Sequence, residues 1–226
     1  MKPMVLIATL VVSALALEVQ AGPGAWVEGT NYVLLSPVQD THVAPGKVEV
    51  LEVFSYGCPA CNYFQPTIDK LERSLPVNAQ MVFLPASFSA AEDMPMFQRA
   101  FFAAQALGVA ARAHRAIFDA VWGTGELAVV DPRTHRLKSR LPTLEDAARC
   151  YARITGVKPE EFLQAARSFG VGVKMGEADA QIVAMRVPGT PCLVVDGKYR
   201  IELGTLKSTD DVIEIVRFLV SKETPR

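Results

Sequence analysis

The chain has 226 residues, half of them apolar, and its 23 Lys and Arg against 24 Asp and Glu leave a formal net charge of −1. That length suits one globular domain of ordinary size, with room for an insertion and a core that folds without disulfide staples. The balanced charge speaks against nucleic acid or anionic lipid as the main partner.

The first 21 residues differ from the rest: Lys2, an apolar run from Met4 to Leu17, and short residues at Val19 and Ala21. This is the pattern of a secretory signal with a cleavage site near Ala21. The apolar run of about 14 residues is short of the roughly 20 that span a bilayer, which disfavours an uncleaved anchor. Cleavage predicts a mature chain of about 205 residues in an oxidising compartment, where disulfides persist.

After the leader, "KVEVLEVFSYG" from Lys47 reads as a buried strand ending at glycine. "CPACNYFQPTIDKLERSL" follows as a helix, with Pro59 in its first turn and an apolar stripe at Phe64, Ile68, Leu71 and Leu75. Pro66 lies inside that helix and is expected to kink it. "AQMVFLPASF" is a second strand. The unit is strand–helix–strand, whose crossover makes the two strands parallel.

Two amphipathic helices, "PMFQRAFFAAQALGV" and "ARAHRAIFDAVWG", come next, separated by Gly108. The apolar residues of the first are read as core, with an exposed substrate groove as the alternative. Thr124 to Pro142 reads as loop. Thr143 and Asp146 have the spacing of a helix cap, Pro159 opens another helix, and a further one is expected over Val173 to Arg186. "PCLVVDGKYRIEL" is two short strands joined by Asp196-Gly197, a hairpin signal. A last helix starts from Ser208 or Thr209. The expected division is a signal at 1–21, α/β parts at 22–86 and 173–226, and a helical insertion at 87–172.

Four cysteines are too few for a disulfide scaffold in a chain this long. Cys58 and Cys61 stand three apart, directly after a strand and at the opening of a helix. Unpaired N–H groups and the positive end of the helix dipole favour an anion at Cys58, so its thiolate is accessible near neutral pH. Cys61, one turn deeper, is placed to close a disulfide or resolve a mixed one. The alternatives are a zinc half-site and a purely structural bridge. Zinc lacks further ligands at suitable spacing, since Cys150 and Cys192 are isolated and His42, His114 and His135 form no ligand pattern. A bridge across one turn closes almost no loop and adds little stability. No metal or other cofactor is expected. The three histidines are read as surface residues.

Taken together, "LEVFSYGCPAC", the helical insertion and "VPGTPCLVVDGKY" resemble the DsbA family of bacterial periplasmic thiol:disulfide oxidoreductases over roughly Asn31 to Leu219. The resemblance implies an α/β thioredoxin-like fold with an inserted all-helical domain. It also implies oxidation of reduced, unfolded exported proteins, and reoxidation by a quinone-linked membrane partner of DsbB type. By the same resemblance Pro191 is a cis-proline facing the cysteine pair, leaving the Thr190 backbone for an extended substrate. Glu52 is the acid that relays the Cys61 proton, unless it reaches solvent at the strand end. One departure stands out: the family usually has His where this chain has Ala60, after Pro59. Its loss is expected to raise the Cys58 pKa relative to close relatives and make the disulfide less oxidising.

Cys150 and Cys192 either form a second disulfide tying insertion to core or are buried thiols acting as small hydrophobes. An exported monomeric dithiol oxidase in the periplasm is the leading expectation. An isomerase or reductase of the same fold is its rival, although about 25 residues between Ala21 and the first strand leave no room for a dimerisation domain. A peptide-binding chaperone that keeps its cysteines for stability is the alternative from another class.

Overall fold

The structure is a computed structural model and describes residues 26–89, 93–131 and 133–223; the expected signal segment lies outside them. Its central sheet contains β1 (Tyr32–Leu34), β2 (Val48–Phe54), β3 (Ala79–Pro85), β4 (Cys192–Val195) and β5 (Tyr199–Ile201), in the order β1-β5-β4-β2-β3. β2 and β3 run parallel through α1 (Pro59–Ser74), as the strand–helix–strand reading required, while β4 lies antiparallel to β2 and β5 to β4. The reading had no strand before Lys47; β1 is three residues long and pairs with β5. Three residues are too few to show a periodicity.

All seven residues of β2 are buried. A strand enclosed on both faces reads as a continuous apolar run, here interrupted only by Glu49 and Glu52. Its side chains divide by parity. Val48 and Val50, with Leu193 and Val195, pack against Ile68 and Leu71 of α1 and against Ile215, Val216 and Leu219 of α7 (Thr209–Glu223). Leu51 and Val53, with Val194, pack against the helical insertion. Each such fully buried aliphatic side chain contributes about 1.5–3 kcal/mol.

The insertion begins with α2 (Met94–Ala106) and α3 (Ala110–Trp122), divided at Gly108, whose φ of +69° ends the first helix. α4 (Leu144–Thr155) has the expected capping box, Thr143 and Asp146 each accepting from the other's backbone. α5 (Pro159–Ala166) and α6 (Phe169–Ala184) follow. The helix expected from Val173 therefore starts earlier, and the expected boundary at 172/173 falls inside α6. Its glycines, each costing about 1 kcal/mol in a helix, disguise a start that Ser168 caps by accepting from the Val171 N–H at 3.2 Å. Met94, Phe97, Phe101 and Phe102 are buried, so this segment is core and not an open groove. At the β4–β5 hairpin, Asp196 and Gly197 both have positive φ, 53° and 62°, which the tight turn demands. Among the described residues no helix is long and apolar enough to cross a membrane.

Candidate active site

The chain leaves β2 at Phe54, turns through Ser55, Tyr56 and Gly57, and enters α1 at Pro59, which puts Cys58 at the helix N-cap. Its sulfur accepts from the Cys61 N–H at 3.4 Å and lies 3.3 Å from the carbonyl oxygen of Thr190, to which the thiol donates. The neighbouring Cys61 thiol does most to bring the Cys58 pKa down, to about 6, working against burial and helped by the Thr190 side chain and the Cys61 and Ala60 amides. Cys61 is fully buried and pushed far the other way, by burial first and then by Cys58. One sulfur is held ready to ionise and the other to keep its proton, an asymmetry suited to directional thiol exchange. Pro59 and Ala60, the residues between them, are exposed.

Thr190-Pro191 is a cis peptide immediately before β4, and Thr190 is brought against Cys58 from 132 residues away. Beside it a cavity of about 300 Å³ is lined by Pro188, Thr190, Pro191, Cys192, Ile201 and Leu203. The partly buried Thr190 thus lies at this edge next to the Cys58 sulfur.

Glu52 pairs with Phe83 on one side and Leu193 on the other, in mid-sheet and fully buried. Neither of its carboxylate oxygens has a hydrogen-bond partner among the described residues. Its pKa is raised well above the carboxylate range, by burial first, then by the charges of Cys58 and Asp69. Glu49, three residues earlier, is also buried, yet it accepts from the His42 N–H at 2.6 Å and its oxygen sits 3.3 Å from His42 Nδ1. Of the two acids, Glu52 is the one left without a bond on the α1 face, and a buried unpartnered acid beside a reactive thiol is a proton-transfer candidate.

Of the two readings offered for the remaining cysteines, the structure has the buried thiols. Cys150 and Cys192 are free, buried thiols. Cys150 Sγ faces Arg153 at 3.7 Å, near Glu126, whereas Cys192 Sγ lies by the Leu193 carbonyl with Arg200 and Glu202 as its charged neighbours. All four cysteines are free in this structure, and these two have separate surroundings. Burial raises both, to about 11 and about 12, which favours the protonated thiol at neutral pH, and both fill core space.

His114 is a correction, because it is buried and not a surface residue. Its Nδ1 lies 3.0 Å from the hydroxyl of Tyr56, two residues before Cys58. Trp122 Nε1 donates to the Tyr56 carbonyl at 2.8 Å. The sequence reading gave no role to Tyr56 or Trp122 and put His114 at the surface. The available signal was a histidine in an apolar helical stripe, four residues before Phe118 and eight before Trp122.

Comparison with known proteins agrees with this geometry. The model of the DSBA-like thioredoxin domain matches residues 49–212. The chain is 32% identical over 224 residues to the thiol:disulfide interchange protein DsbA of Pseudomonas aeruginosa, covering 99% of this chain and 97% of that one. It is 32% identical over 216 residues to DsbA of Azotobacter vinelandii, covering 90% and 94% respectively. Among solved structures, the crystal structure of Pseudomonas aeruginosa DsbA superposes with a TM-score of 0.70 at 32% identity, over 88% of this chain and 94% of that one. That of the oxidoreductase DsbA from Xylella fastidiosa gives 0.73 at 30% identity, over 87% and 97%. The protein belongs to the DsbA family of thiol:disulfide oxidoreductases, with the thioredoxin-like α/β fold and the inserted helices that its sequence announced.

Proposed function

We propose that this chain is a periplasmic dithiol oxidase that passes the Cys58–Cys61 disulfide to reduced exported proteins. The observation that carries the reading is the opposed ionisation of the two sulfurs, Cys58 lowered to about 6 and Cys61 raised. A substrate thiolate attacks the Cys58 sulfur, the S–S bond breaks, and Cys61 leaves with the electron pair and takes up a proton. Glu52, protonated by burial and close enough to feel the Cys58 charge, is the source of that proton. A second substrate thiolate then attacks the substrate sulfur of the mixed disulfide and expels Cys58 as a thiolate. The substrate loses two electrons and the pair gains them. A low-pKa leaving group favours this direction, because the reduced form is the stabilised one.

Thr190, next to Cys58, offers its backbone to the extended substrate, with Pro191 shaping the strand entry. Return to the disulfide requires an electron acceptor; a quinone-linked membrane protein of DsbB type is the proposed partner. The chain acts as a monomer and reaches the periplasm through the signal at residues 1–21.

Ala60 favours a second reading, a weaker oxidant with isomerase or reductase activity, since no imidazole flanks the Cys58 sulfur. Incubating the purified protein with a reduced and a scrambled disulfide substrate separates the two. Net thiol loss in the first supports the oxidase; rearrangement without net oxidation supports the isomerase. A Cys58→Ala variant that still protects unfolded protein from aggregation, together with an inert wild type in both assays, would leave only a chaperone.

A further inference from the structure

Three side chains of α3 converge on a single residue of the catalytic loop. His114, Phe118 and Trp122 follow each other at four-residue intervals, which places them along one face of the helix. Their common contact is Tyr56, which is 1% exposed. His114 Nδ1 holds its hydroxyl at 3.0 Å, Phe118 packs against its ring edge at 5.0 Å between centroids, and Trp122 Nε1 donates to its carbonyl at 2.8 Å. The residue is gripped at side-chain tip, ring and backbone.

Ionisation does not disturb the grip. Burial takes the His114 pKa down to about 3 and that of Tyr56 well above its ordinary value, so imidazole and phenol are both neutral through the physiological range. Phe83, Phe54 and Phe101 surround the imidazole, with the Phe83 ring centroid 4.2 Å away. A second tie runs from α3 to α1 itself, where Arg115 pairs with Asp69 at 3.0 Å.

We infer that the α3 clamp on Tyr56 positions the nucleophile: His114 and Trp122 are positioning residues through which the helical insertion sets the thiolate character of Cys58. Only Gly57 separates Tyr56 from Cys58, and the Cys58 N–H is already bonded to the Ser55 carbonyl at 3.1 Å. Fixing Tyr56 therefore fixes the turn that aims the sulfur at the Cys61 N–H. A loosened turn makes that charge-assisted contact longer and less constant, and the thiolate loses stabilisation. The inserted helices thus tune the redox pair besides enclosing it. This inference rests on the exchange activity proposed above for its consequence, though not for its first measurement.

The test titrates the thiolate by its ultraviolet absorbance in the reduced protein, and follows equilibrium with glutathione. Trp122→Phe keeps an aromatic ring while removing the N–H together with part of the indole's bulk. It is expected to move the Cys58 midpoint up by about half a pH unit, making the pair about threefold less oxidising. Tyr56→Phe and His114→Phe each leave a buried polar partner unpaired and lower the melting temperature, whereas the double variant recovers part of the loss, because imidazole and phenol go together and only the Tyr151 hydroxyl, which also meets Tyr56, is left over. The clamp predicts that the double variant keeps the raised midpoint. An unchanged midpoint in Trp122→Phe, or a double variant whose midpoint returns together with its melting temperature, overturns the inference. Wild type failing to equilibrate with glutathione would instead overturn the exchange reading, since the titration does not depend on exchange.

Discussion

The backbone N–H of Cys61 points at the sulfur of Cys58 from 3.4 Å, so the residue proposed to resolve is also a donor to the proposed nucleophile. Two residues of one helical turn thereby share a single negative charge unequally. Alkylation of the reduced protein is expected to modify Cys58 at a rate that rises with pH and levels off above about 6, because the thiolate is the reacting form. Cys61 stays unmodified across the neutral range. Peptide mapping after timed alkylation reads both sulfurs, and a Cys58 midpoint in the ordinary thiol range of about 8.5 would contradict the arrangement.

Replacing Glu52 by Gln removes the buried acid proposed as proton donor. Exchange at neutral pH is expected to slow by about 100-fold or more at the step that releases Cys61, as loss of a positioned acid does. Stability has a sign of its own. The folded state keeps a proton on Glu52 that the unfolded chain releases above about 4.5, so this residue's contribution falls as pH rises by up to about 1.4 kcal/mol per unit until the raised folded pKa is reached. Urea unfolding of both proteins between pH 4 and pH 8 is expected to show a flatter profile in Glu52→Gln. Parallel profiles would mean that Glu52 is ionised in the folded state.

Ala60 is exposed in the first turn of α1, so a larger side chain enters without displacing core. Ala60→His places a hydrogen-bond donor beside the Cys58 sulfur. The expected result is a thiolate midpoint below the wild-type value of about 6 and a more oxidising pair, by about tenfold for each unit of pKa. Glutathione equilibration measures it. No change would assign the low pKa wholly to the contacts with Cys61 and Thr190.

Thiol counting checks the two remaining cysteines. The oxidised protein, denatured without reductant, is expected to titrate two thiols, at Cys150 and Cys192. Cys150→Ala should cost about 1–2 kcal/mol from lost packing and leave exchange unaltered. Zero thiols would restore the second bridge.

Much of this molecule was written locally. β2, α1 and β3 followed from an apolar run, a proline in a first turn and a second apolar run. The capping box at Thr143 and the Asp196-Gly197 turn were also readable, because caps and turns are chemistry among residues four or fewer apart. So was the closeness of Cys58 and Cys61, since one helical turn separates them. The start of α6 was not, because glycine depresses helix propensity and burial against neighbouring elements overrules it.

By itself the chain of letters determined that two cysteines sit one turn apart at a helix N-terminus, and the strand–helix–strand unit around them. Only the tertiary structure decided that, among the described residues, Glu52 lacks a partner while Glu49 has one, and that Cys150 and Cys192 have separate surroundings. It alone brought Thr190 to the sulfur and locked His114 onto Tyr56 across 58 residues of sequence. The reason is physical: periodicity and caps are set by neighbours along the chain, but a partner for a buried polar group is set by whichever distant element packs against it.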